Sequence, residues 1–311
     1  MRRMVCAIAC SFFAAGSLDM AWSQDTGYEC APLGLDAIAL KEIKQTRLED
    51  PRVGDLDAFA MSLIDCLRDT RPEIRDGVGY ELLTFILRSQ DSKLSSIPDI
   101  ENLPELKTEL LKLLKDEDAA GVAAPFAALV LSEIARTDRL REWMSDTERS
   151  EFVRAAVAYM QSIEDYRGFD DVEGWRHGVA HGADWLMQLS LNDALSGDDR
   201  DFILKAVASQ IRADGEHAYI HGEPERLARP VLFLARAGHM NEMAWSAWLQ
   251  TVADPAPFEK WDNVFSSEAG LAQRHNVKAF LYVLYVNAAH SENENVRRLL
   301  PGLTEQIKSI P

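Results

Sequence analysis

The chain has 311 residues, with 47% hydrophobic and 27% charged side chains, enough for a substantial core under a charged surface. Its formal net charge is −17, from 50 acidic and 33 basic residues. A phosphate backbone or an anionic membrane surface would be repelled, so nucleic acid is excluded as the expected partner.

The N-terminus reads as a secretory signal. Arg2 and Arg3 precede the short apolar run MVCAIACSFFAAG, and Ala21-Trp22-Ser23 places small residues at a cleavage site. Residues 1–24 are therefore expected to leave, and 25–311 to form one mature domain in the periplasm. The apolar run is too short to span a bilayer, and none of sufficient length follows. Of four cysteines, Cys6 and Cys10 lie in the leader. Cys30 and Cys66 remain, and an oxidising compartment favours joining them.

Alternating β-branched runs are absent, whereas 3.6-residue periodicity recurs along the chain. The pattern predicts helices over 36–48, 55–69, 72–89, 103–115, 120–138, 147–164, 173–190, 198–213, 224–237, 240–253, 268–289 and 294–308. Asp50-Pro51, Arg71-Pro72, Ile97-Pro98 and Pro255-Ala256-Pro257 punctuate them, and Ser196 precedes an acidic first turn. Short connections between helices of this length give antiparallel pairs. The expected class is all-α, with the pairs in a HEAT-like α-solenoid or an α/α-toroid. Residues 63–87, LIDCLRDTRPEIRDGVGYELLTFIL, resemble one HEAT repeat, in which Asp69 and Pro72 shape the turn and Arg75 and Asp76 open the second helix.

Chemistry concentrates in WRHGVAHGADW, residues 175–185. On a helix at 100° per residue, His181 lies about 40° from His177 and Asp184 about 20° to its other side. Trp175, Val179, Leu186 and Leu189 fall opposite, and Trp175, which flanks the site, is also a candidate ligand contact. Histidines at i and i+4 can share one metal ion, so His177, His181 and Asp184 are candidate ligands for a divalent cation such as Zn²⁺. Gly178, Ala180, Gly182 and Ala183 would allow a close approach to this helix. The plain alternative is a solvated polar stripe, although two glycines at about 1 kcal/mol each are an expensive way to build one.

A second cluster, AYIHGEPERLAR at 218–229, offers Tyr219, His221 and Arg226 as ligand contacts and Glu223 as a fourth ligand or general base. Its bland reading is a helix cap with an i, i+3 ion pair. Arg274, with His275 and Asn276, forms a third polar group that could meet an anion. There is no GxSxG elbow, P-loop or dinucleotide fingerprint.

The stretch YRGFDDVEGWRHGVAHGADWL resembles the central signature of a bacterial family of unknown function. Arg167, Gly168, Gly174, Trp175, His177, Ala180, His181, Gly182, Ala183 and Asp184 carry the resemblance. Tyr219, Glu223, Arg226 and Leu227 match a second element, and Asn276, Lys278, Phe280, Leu281 and Tyr285 a third. The resemblance spans roughly residues 70–290 and implies a shared site without an activity. Two functions then compete: a metal-dependent, hydrolytic enzyme, and a non-catalytic helical scaffold that binds a protein or envelope ligand.

The leader predicts a mature chain beginning near Gln24 or Asp25. Intact mass of periplasmic protein checks this, and a product retaining Met1 would refute it.

Overall fold

The computed structural model describes residues 30–89, 100–116, 118 and 120–311. The signal segment and the Ile97-Pro98 break lie outside the described residues. Helix starts follow capping chemistry. Asp36 and Asp55 accept backbone N–H bonds at the starts of α1 (Ala37–Gln45) and α2 (Leu56–Ser62). A 3₁₀ segment, Leu63–Arg68, continues α2. Beyond Pro72 the chain forms α3 (Pro72–Ile74), a π-helical stretch over Arg75–Tyr80, and α4 (Glu81–Ser89).

The main body comprises α5 (Leu103–Leu113), α6 (Ala123–Leu140) and α7 (Asp146–Gln161), a hairpin of β1 (Phe169–Asp170) and β2 (Gly174–Trp175), then α8 (Gly178–Ser190), α9 (Gly197–Gln210), α10 (Glu223–Ala237), α11 (Glu242–Val252), α12 (Glu268–Ala289), α13 (Glu294–Arg297) and α14 (Leu300–Ser309). Ser145 with Glu148 and Ser196 with Asp199 form reciprocal capping boxes on α7 and α9. The protein is thus overwhelmingly helical.

Packing is alternate. α4 lies on α6, α6 on α8, α8 on α10, α10 on α12 and α12 on α14, while α7 lies on α9. One continuous core threads these layers. α8 is the most enclosed element: Val179, Trp185 and Leu186 are buried, and so are His181 and Asp184 on its polar side. The solvated-stripe alternative is therefore incorrect. The small residues of α8 also have a different use from that expected. A Cβ on Gly182 would come within 2.3 Å of the Met160 sulfur, so the glycine admits α7 rather than a ligand.

Four predicted helices differ from the structure, the one over 55–69 by passing from α to 3₁₀ after Ser62. The helix expected over 173–190 starts only at Gly178. Gly174 and His177 both take left-handed conformations, with φ of 69° and 56°, and the Asp170 carboxylate accepts the N–H groups of Val172 and Glu173 at 2.7 Å each. These bonds turn the chain into the hairpin, pairing Phe169 with Trp175. The helix expected over 294–308 divides into α13 and α14, where Pro301 occupies a first-turn position. The helix over 72–89 carries the π-helical stretch, in which Gly79 packs on Cys66.

Cys30 and Cys66 form a disulfide across 36 residues of sequence. No helix among the described residues is long and apolar enough to cross a membrane. Loop-closure entropy assigns the bridge about 3–4 kcal/mol. Thiol counting in denaturant is expected to find no free cysteine in the mature chain, and Cys30→Ala should lower the unfolding free energy by that amount. A variant as stable as the parent would contradict it.

Candidate functional site

The left-handed turn at His177 begins the site. Its N–H donates to the Arg167 carbonyl at 3.1 Å, and its own carbonyl accepts the N–H of His181 at 2.9 Å. The residue thus closes the hairpin and caps α8 at once. A β-carbon in this conformation is disfavoured, and the two backbone bonds hold it there. The Trp175 ring stacks on the imidazole, 4.6 Å between centroids and 22° between planes.

A cleft of about 430 Å³ opens here. Trp175, His177, His181 and Asp184 line one side, His221 and Arg226 another, and Asp76, Tyr80, Glu81, Phe126 and Leu129 close it. His181 is fixed by its Nδ1, 3.1 Å from the Pro125 carbonyl. Donation from Nδ1 leaves the Nε2 lone pair for the cleft. Its ring meets Phe126 edge-on at 5.1 Å.

Behind His177 lies Glu223, 1% exposed at the first position of α10. Its Oε2 accepts the His221 N–H at 2.9 Å. Its Oε1 stands 3.6 Å from His177 Nε2 and 3.9 Å from His221 Nδ1. All three atoms are buried and otherwise unpartnered among the described residues. Gly168 explains how His221 reaches this place, because a Cβ there would overlap the His221 ring at 2.3 Å from Nδ1.

The expected metal trio does not assemble. Asp184 turns to Arg226, with which it makes a close ion pair, and to Arg229 at 3.3 Å. Two guanidinium groups occupy the oxygens that a cation would need. Among the described residues no group of three or more His, Cys, Asp or Glu side chains is placed to hold a metal ion. His177, His181 and Asp184 therefore do not fit one metal in this arrangement. The i, i+3 pair of Glu223 with Arg226 is likewise replaced by the longer-range Arg226–Asp184 contact.

Two further expected contacts lie elsewhere. Tyr219 is buried, its hydroxyl donating to the Gln210 carbonyl at 2.9 Å, so it anchors the loop instead of facing ligand. Arg274 sits within α12. It donates to the Pro311 carbonyl at 2.6 Å and covers Phe265, away from the cleft. Its neighbour Asn276 has a positioning role: Oδ1 accepts the Tyr219 N–H at 2.8 Å and Nδ2 donates to the His217 carbonyl at 3.0 Å. Asp76, Tyr80 and Glu81 were missed as cleft residues, although Asp76 and Tyr80 are four apart in RDGVGYELL and so share a helix face. Arg75 ties this stretch to the hairpin by donating to the carbonyls of Glu173 and Trp175 at 3.1 and 3.0 Å.

The family described as "Protein of unknown function (DUF2785)" matches residues 110–286. The chain belongs to this family. The matched DUF2785 region contains the hairpin, α8, the 217–223 loop and α10, hence most of the cleft; Asp76, Tyr80 and Glu81 come from the preceding segment. Neither curated proteins nor solved structures gave a match.

Burial sets the charge states. It lowers the His177 pKa to about 4, aided by the Arg226 charge, and that of His181 to about 3, aided by His177. Burial also pushes the Asp184 and Asp76 carboxyls up, against the pull of Arg226 and Arg229 on the first and Arg75 on the second. Both histidines are neutral at pH 7 and offer lone pairs. An unfolded histidine takes up its proton near pH 6.5, whereas the folded ones resist it to about 4 and 3. Their stabilising contribution is thus complete above pH 6.5 and is lost as pH falls toward 4 and 3. Each can steepen that loss by up to about 1.4 kcal/mol per pH unit. Denaturant unfolding from pH 7 to 4 should show a shallower decline in His181→Phe than in the parent; identical slopes would contradict the assignment.

Proposed function

We propose that the cleft is a hydrolytic acid–base site in which His177 is the base and Glu223 its orienting carboxylate. The observation that carries this reading is the pair of buried, unpartnered atoms, His177 Nε2 and Glu223 Oε1, 3.6 Å apart. Leaving either atom unsatisfied costs about 1–3 kcal/mol, which a bond between them would relieve. A separation of this size tightens on ligand binding in many acid–base sites. In the proposed step, Nε2–H donates to Glu223 and fixes the tautomer. His177 Nδ1 then takes a proton from water as it attacks an electrophilic centre. The neutral state of His177 at pH 7 suits it to this role, and its pKa near 4 makes activity fall as pH drops through that value. His181, held by Pro125, presents Nε2 as a second acceptor for the substrate. Arg226, at the inner wall, supplies positive charge toward an oxyanion.

The wider setting is proposed as a HEAT-like α-solenoid or α/α-toroid. Its support is the alternate packing of α4, α6, α8, α10, α12 and α14, which is how stacked helix pairs build one inner row. The leader and the Cys30–Cys66 bridge support export to the periplasm.

Hydrolysis of p-nitrophenyl esters, phosphates and glycosides tests the site. Wild-type protein is expected to turn over at least one class, and Glu223→Gln and His177→Ala to slow it by about 10²–10⁴-fold. Turnover unaffected by both substitutions, or none with any class, overturns the reading and leaves the non-catalytic scaffold.

A further inference from the structure

A second concavity, of about 630 Å³, lies beyond Asp184 along the same two helices. Met187 from α8, Leu232 and Phe233 from α10 and Val296 from α13 supply its apolar surface. Met187, Leu232 and Phe233 are half-buried, so this surface is partly open to solvent. Arg229 and Arg236 also line it. Seven residues apart, they share a face of α10 and stand about 10 Å apart along its axis. Leu232 and Phe233 lie between them.

The charge here is opposite to that of the chain. The protein carries −17, yet this groove has two arginines against one carboxylate, Glu292. Arg229 is already engaged with Asp184 at 3.3 Å. Arg236 is exposed and makes no ion pair with an acidic side chain among the described residues. A guanidinium free to accept an anion thus borders an apolar trough about two helical turns long. Polar groups of Asn287, Ser291 and Asn293 edge the trough without filling it.

We propose that this groove binds a single-chain amphipathic anion. Its carboxylate or phosphate head pairs with Arg236, and its alkyl chain lies over Phe233, Leu232, Met187 and Val296 toward Arg229. Charge complementarity selects an anion over a cation. The apolar surface selects a chain over an inorganic ion. The site is distinct from the His177–Glu223 pair and does not depend on hydrolysis taking place there.

Calorimetric titration of the intact mature protein below micellar concentrations provides the test. Dodecanoate and dodecyl phosphate are the anionic probes, and dodecyltrimethylammonium the cationic one. At least one anionic probe is expected to bind saturably, and the tighter one names the head group. The cation is expected to bind at least ten-fold more weakly. Arg236→Ala should weaken anion binding ten-fold or more, and Phe233→Asp should abolish it, with helicity by circular dichroism unchanged. Arg236 is exposed, so its substitution keeps the test decisive even where Phe233→Asp fails to fold. Absent saturable binding of both anions, equal binding of the cation, or unchanged anion affinity in Arg236→Ala would each overturn the proposal.

Discussion

Helix α8 runs between α6, α7 and α10, and this position takes water away from His181, Asp184 and Trp185 together. A polar group without water must find its partner inside the protein or raise the free energy of the fold. The surroundings of α8 follow from that requirement. Pro125 on α6 supplies a carbonyl to His181, and α10 supplies Arg226 and Arg229 to Asp184. Tyr159 and Met160 on α7 come close because Gly182 carries no side chain. That glycine weakens the helix in isolation and strengthens its place in the stack.

The hairpin before α8 meets the same requirement at the helix start. His177 adopts a left-handed conformation so that its backbone closes the β1–β2 ladder while its ring enters the cleft. Trp175 stacks on one side of the ring, and the Glu223 carboxylate stands 3.6 Å behind it. Glu223 is in turn placed by its position at the start of α10 and by the 217–221 loop, which Asn276 binds through two backbone contacts. Residues from the three matching sequence elements thus act on one another across roughly 100 positions. Among the buried polar atoms left without a partner in the described residues, His177 Nε2, His221 Nδ1 and Glu223 Oε1 are grouped behind the cleft, the two nitrogens 3.6 and 3.9 Å from the carboxylate oxygen. Grouped atoms of this kind can share one proton or one ligand, which a single isolated atom cannot.

Neutral imidazoles follow from this burial as well. With His177 shifted to about 4 and His181 to about 3, positive charge in the cleft comes from arginine and lone pairs come from histidine. A site that kept both histidines protonated would repel Arg226. Neutral rings avoid that repulsion. Asp184 and Arg226 line the cleft, and Arg229, which shares Asp184, lines the groove further along α10.

The helical class and the placing of His177, His181 and Asp184 near one another were legible in the sequence because both depend on local spacing. A 3.6-residue period, Ser196 before an acidic turn, and histidines four apart are all properties of neighbours along the chain. The sequence also marked Glu223, His221 and Arg226 as belonging with the histidines. It could not say which of them pair, since that depends on how α8 and α10 pack. Asp184, a metal ligand by spacing, became the partner of Arg226 and Arg229 once α10 lay beside it. Tyr219 became an anchor because Gln210 lay within reach, and Arg274 fell away from the site with the length of α12. Asp76, Tyr80 and Glu81 joined the cleft only when the π-helical stretch met the hairpin through Arg75. Local periodicity determines the elements and the side each residue takes. Contact between elements far apart in sequence decides the charge, the partner and hence the chemistry of each polar group, because those depend on which atoms replace water.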